Sequence, residues 1–166
     1  MTLEAIIIDI LKQKNYKFSS AESLTGGMLM STLIDVPGAS DVIAEGFITY
    51  ADEAKIKYLG VKKETIDKLG AVSQETAYEM AKGLKEKTNA HVTVATTGIA
   101  GPGGGTKEKP VGTVYIGCRV CGEVYVKRLM LHGDRKSIRT QTVSAALNFI
   151  KDCILNDNSK EKDIIT

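Results

Sequence analysis

The chain has no tryptophan, three phenylalanines and six tyrosines in 166 residues. So few rings argue against a surface that stacks nucleobases. Cysteine is equally scarce, with Cys118, Cys121 and Cys153 the whole supply. An odd, small number builds no disulfide framework and suits a reducing compartment. Cys118 and Cys121 form a C-x-x-C, but no second such pair exists to complete a four-ligand zinc site. The pair sits in a strand-like run, where an offset of three puts the thiols on opposite faces. Both read as small apolar fillers. A charge excess is also missing: 22 Lys and Arg stand against 20 Asp and Glu, for a net charge of +2. That balance gives no electrostatic footprint for nucleic acid or an anionic membrane. No apolar run approaches the ~20 residues of a membrane span. The segment Thr2–Lys14 lacks the basic-then-apolar order of a signal peptide. A cytoplasmic protein is the expectation, with neither nucleic acid nor membrane as partner. Histidine is limited to His91 and His132. The first starts a strand at the edge opposite its ligand-binding end and the second lies in a turn, so a Ser-His-Asp triad is hard to assemble.

What is present is ordinary globular material, 43% hydrophobic and 25% charged. The length fits a single domain over 1–166, with 156–166 expected as a frayed polar tail. Apolar spacing predicts helices over 3–14, 28–34, 52–59, 64–69, 73–87 and 134–155. Strand-like runs cover 18–23, 47–50, 91–97, 111–121 and 124–131, the last two joined by a tight turn at Cys121-Gly122-Glu123. Helices and strands alternate before a closing hairpin and helix. That order predicts an α/β fold: a three-layer α/β/α sandwich with a mostly parallel mixed sheet and an antiparallel edge. No internal repeat of fixed period is visible.

Glycine is the surplus, 16 residues in clusters. In Ala21-Glu22-Ser23-Leu24-Thr25-Gly26-Gly27 a strand ends and two glycines open a helix. Amides at a helix start can hold a phosphate or an oxyanion, and a serine there can be a nucleophile. From this segment alone the favoured reading is that Ser23 or Thr25 merely caps the helix. The second cluster, Thr96 to Thr106, follows a strand, at the edge where open α/β sheets bind ligands. It is no P-loop, lacking G-K-[ST], and no dinucleotide fingerprint, since Thr106 stands where the last glycine belongs. Five glycines within Gly98–Gly105 make a backbone-rich concavity suited to a phosphate or a planar amide. A solvent-facing loop is the alternative. In the third segment, Tyr50 ends a strand and Lys55 lies in the next helix, so both could reach one sheet edge. A desolvated lysine gives up its proton below the usual ~10.4 and can serve as base for a serine. Tyrosine can relay that proton or hold developing charge. On spacing alone, Lys55 reads as a solvated lysine on a helix face.

The runs AESLTGG (21–27), GFITYADEAKIKYLGV (46–61), GAVSQETA (70–77) and TTGIAGPGGGTKEKPVGTVYI (96–116) resemble the C-terminal domain family of the competence-damage-inducible protein CinA. The resemblance covers about residues 3–155. It implies an α/β/α layered fold. It also implies nicotinamide mononucleotide deamidase activity, that of stand-alone members, which yields nicotinic acid mononucleotide and ammonia in pyridine nucleotide salvage. By the same resemblance the nucleophile falls on Ser23 and its helpers on Tyr50 and Lys55. The phosphoribose would be cradled by Thr25, Gly26 and Gly27 and by Thr97, Gly98, Ala100, Gly101, Gly103, Gly104, Gly105 and Thr106. No metal and no organic cofactor is implied; the partners expected are a small nucleotide substrate and further copies of the chain, a dimer foremost. The sequence departs from the family where Cys often replaces Leu24 and Asn often replaces Asp52. Asp52 adds a negative charge that favours the protonated lysine. The alternative function is a non-catalytic nucleotide-binding or competence-related regulatory module.

Overall fold

The computed structural model describes residues 1–157. Helix α1, Leu3–Lys14, buries Ile7, Ile8 and Leu11 at helical spacing. The chain then runs through β1 (Phe18–Glu22), α2 (Met28–Ile34), β2 (Phe47–Ile48), α3 (Asp52–Leu59), α4 (Lys63–Leu69) and α5 (Gln74–Thr88). It closes with β3 (Val92–Gly98), β4 (Thr113–Val120), β5 (Glu123–Met130) and α6 (Arg135–Leu155). Ser73 caps α5 by accepting the Thr76 N–H, and Asp134 caps α6 by accepting the Ser137 N–H. The tail expected over 156–166 lies outside the described residues from 158 onward.

The five strands stand in the order β2-β1-β3-β4-β5. β1 pairs parallel with β2 and β3, whereas β4 pairs antiparallel with β3 and β5. Four strands therefore share one direction and β4 alone opposes them. The chain leaves β1 for one side of the sheet and returns to the other side of it. The carboxyl ends of β1 and β3 thus flank a switch point, where open α/β sheets form their crevice.

Strand alternation sorts the two cores. Phe18, Val92, Val94, Val114, Ile116 and Cys118 pack with α1, α2 and α6. Ala21 and Ala95 face the other layer, against Leu59, Met80, Ala81 and Leu84. Small residues let that layer sit close. A Cβ on Gly83 would lie 1.6 Å from the Leu59 carbonyl oxygen, so α3 rests on the α5 backbone itself. Three layers result, as the pattern of elements predicts. Cys118 is buried, while Cys121 occupies the hairpin turn at φ 54°. No helix among the described residues is long and apolar enough to cross a membrane.

Two local features differ from expectation. A 3₁₀ turn at Ala39–Asp41 follows Pro37-Gly38. Strand β2 stops at Ile48 rather than Tyr50, because the carbonyls of Thr49 and Tyr50 turn away from the ladder toward Lys55.

Candidate active site

The period of two in β1 sends Glu22 and Ser23 to opposite faces. Glu22 is buried beneath α2. Its Oε1 accepts the Leu29 N–H at 2.9 Å, and its Oε2 accepts the Met30 N–H at 3.1 Å and the Ser20 hydroxyl at 3.2 Å. The Met28 N–H goes to the Thr25 carbonyl at 2.9 Å. The helix cap expected from Ser23 or Thr25 is thus supplied by Glu22. The amides that open α2 are already taken and do not face a phosphate. Thr25 Oγ1 lies 2.8 Å from Thr96 Oγ1 in a buried contact. Gly26 and Gly27, at φ 56° and 98°, form the turn. None of Thr25, Gly26 and Gly27 is among the residues lining the cavity described next.

Ser23 opens into a cavity of about 280 Å³ lined by Leu24, Tyr50, Asp52, Lys55, Thr97, Gly98, Ala100 and Arg135, with Ala71 and Val72. Larger grooves of about 380, 420 and 410 Å³ lie elsewhere, the last two containing Ser40 and Cys153, but none of them sets a serine or cysteine against a buried lysine, so chemistry rather than size selects the site. Lys55, on the inner face of α3, is 1% exposed. Its Nζ lies 3.2 Å from Ser23 Oγ, 2.9 Å from the Thr49 carbonyl and 3.1 Å from the Tyr50 carbonyl. Burial pushes the ammonium pKa below its ordinary 10.5, and the charges of Asp52 and Glu53 pull it back up more weakly. The partners fix the direction of the hydrogen bonds. Carbonyl oxygens only accept. A neutral Lys55 therefore gives its two N–H groups to Thr49 and Tyr50, and its lone pair is left facing the Ser23 hydroxyl.

Tyr50 sits at the rim, 58% exposed. Its hydroxyl accepts a hydrogen bond from Arg135 Nη2 at 3.0 Å, while its carbonyl serves Lys55. Among the described residues its hydroxyl makes no bond to Ser23 or Lys55. Arg135 Nη1 also donates to the Gly101 carbonyl at 2.8 Å, joining the glycine loop to the rim. Sequence reading did not single out Arg135. Its one local signal is its place directly after the Asp134 cap, which says nothing of the loop 34 residues earlier.

Thr97, Gly98 and Ala100 line the cavity, but Gly101, Gly103, Gly104, Gly105 and Thr106 do not. Thr97 Oγ1 donates to the Ala71 carbonyl at 2.8 Å. A Cβ on Gly101, at φ 81°, would lie 2.5 Å from Val111 Cγ1, so this glycine serves the loop's own packing. The Thr106 hydroxyl accepts the Lys109 N–H at 3.0 Å. Gly103, Gly104 and Gly105 are exposed.

Fold and site together define an α/β/α protein with a buried serine–lysine pair at the switch point of its sheet. Residues 1–154 match the family profile of the CinA C-terminal domain, and the chain belongs to that family. A "putative competence-damage inducible protein" of Clostridium acetobutylicum is 48% identical over 155 residues, 93% of this chain and 38% of that protein. A "CinA-like protein" of Kosmotoga olearia is 49% identical over 93% of this chain and 37% of its own length. The chain thus spans less than two-fifths of these relatives. Among solved structures, the competence/damage inducible protein CihA from Agrobacterium tumefaciens superposes with a TM-score of 0.88 at 40% identity, covering 90% of this chain and 92% of that one. A CinA superfamily protein from Klebsiella pneumoniae gives 0.90 at 29% identity, over 93% and 97%.

Proposed function

We propose that the chain is an amidohydrolase that deamidates nicotinamide mononucleotide to nicotinic acid mononucleotide and ammonia. The observation that carries the reading is the Lys55 amine, buried, bonded to two carbonyls and aimed at Ser23 Oγ. Neutral Lys55 takes the Ser23 proton as Oγ attacks the carboxamide carbon. The tetrahedral intermediate collapses as the Lys55 ammonium returns that proton to the departing amine, and ammonia leaves. Water, deprotonated by the same amine, then hydrolyses the Ser23 ester and releases the acid. Each step uses only the chain's own groups and water. Arg135, at the rim with Tyr50, adds a positive charge suited to an anionic nucleotide, and Thr97, Gly98 and Ala100 supply a wall against which the ring or ribose can lie.

Incubation with the mononucleotide, assayed for ammonia and for the acid product, tests the reading. One ammonia per acid formed is expected. A chain that binds the nucleotide without releasing ammonia at any pH from 6 to 10 would be a binding module instead.

A further inference from the structure

An amide-cleaving serine needs donors for the oxygen that becomes negative in the tetrahedral intermediate. The obvious donors are already engaged. The Ser23 N–H goes to Thr96, 3.1 Å from its carbonyl and 3.3 Å from its hydroxyl. The Leu29 and Met30 amides are held by the Glu22 carboxylate, and the Gly26 N–H is held by the Ser23 carbonyl at 3.0 Å. The N–H groups of Leu24 and Thr25, directly after the serine, meet no protein acceptor among the described residues.

Their orientation is controlled from another element. Arg139, in the second turn of α6, donates from Nε to the Leu24 carbonyl at 2.7 Å and from Nη2 to the Thr25 carbonyl at 3.3 Å. A trans peptide holds C=O and N–H antiparallel. Holding the Thr25 carbonyl therefore fixes the Gly26 N–H, and the bond of that N–H to the Ser23 carbonyl sets the Leu24 N–H on the opposite side of its own peptide. No carboxylate pairs with Arg139 among the described residues, so its whole hydrogen-bonding fork is free for this turn. Arg139 does not line the cavity, whereas Leu24 does.

We propose that Arg139 is a positioning residue that locks the Leu24–Thr25 turn, so that the Leu24 N–H donates to the oxyanion formed at Ser23. The inference rests on the reading of Ser23 as nucleophile. Loss of one such donor costs ~10²–10³-fold in kcat in a serine hydrolase, and a loosened turn loses part of that. Arg139→Ala should lower kcat about 10- to 100-fold with KM within about twofold. Arg139→Lys should fall between Ala and the native chain, because an ammonium cannot span both carbonyls as a fork does. Millimolar ethylguanidinium should restore part of the Ala variant's kcat.

Ser23 labelling by a fluorophosphonate separates the two ideas, because it needs the nucleophile and the oxyanion donor but no particular substrate. The expected result is rapid labelling of the native chain and labelling slowed at least tenfold in both variants, at unchanged circular dichroism. If the native chain labels and both Arg139 variants label as fast with native kcat, the inference fails while the nucleophile stands. If kcat falls only in proportion to the fraction folded and ethylguanidinium restores nothing, Arg139 is structural and the inference fails. A native chain not labelled at Ser23 overturns the nucleophile and the inference together.

Discussion

Lys55 sits where two opposing influences meet, burial that favours the neutral amine and the charges of Asp52 and Glu53 that favour the ammonium. Burial is the larger, so the folded-state pKa lies below 10.5 and activity should rise as pH climbs through that lowered value. Asp52→Asn removes a charge that raises the pKa, so the activity limb should move to lower pH. Lys55→Arg keeps the positive charge but cannot release its proton. A loss of roughly 10²–10⁴-fold is expected, the usual worth of a general base. Profiles of kcat/KM against pH for the three chains check this, and a native-like Lys55→Arg enzyme would remove lysine as base. Residue type and position made Ser23, Tyr50 and Lys55 possible site residues, but the roles assigned to them came from the family resemblance. The part played by the Tyr50 carbonyl was not legible, because a main-chain acceptor leaves no mark in the side-chain sequence. Nor could spacing show that the Tyr50 hydroxyl would be taken by Arg135 from a helix 85 residues away.

The segment from β1 to α2 shows how an element boundary can be placed correctly and explained by the wrong group. A strand, two glycines and a helix were all legible at 18–34. The cap was assigned to hydroxyl side chains by the usual preference. Glu22 took the role because the alternation of β1 aims it under the helix start, opposite to Ser23. A carboxylate there accepts two amides and a hydroxyl at once. Glu22→Gln keeps the shape but places an NH₂ against one of those donors. It should cost about 2 kcal/mol, or roughly 4–8 °C in Tm for a chain of this size. Thermal unfolding checks this; an unchanged Tm would mean that water serves the α2 amides as well as the carboxylate does. Strand β2 was the other partial reading, since its last two expected residues give their carbonyls to Lys55 instead of the sheet.

Across the whole molecule, the layered fold follows from the alternation of elements, and the site follows from the order in which the strands enter the sheet. β1 and β3 bring the serine turn and the glycine loop to one edge, α3 contributes the lysine, and α6 reaches back with Arg135 and Arg139. The first three segments carry contiguous sequence signals. The contribution of α6 is long-range and becomes visible only when the helix is docked. The claim on which these parts converge is that Ser23 attacks a carboxamide. Ammonia release from nicotinamide mononucleotide, compared between the native chain and folded Ser23→Ala, tests it most directly. Turnover by the native chain and a loss of ~10³-fold or more in the variant is the predicted result. Native-like ammonia release by Ser23→Ala would contradict the account.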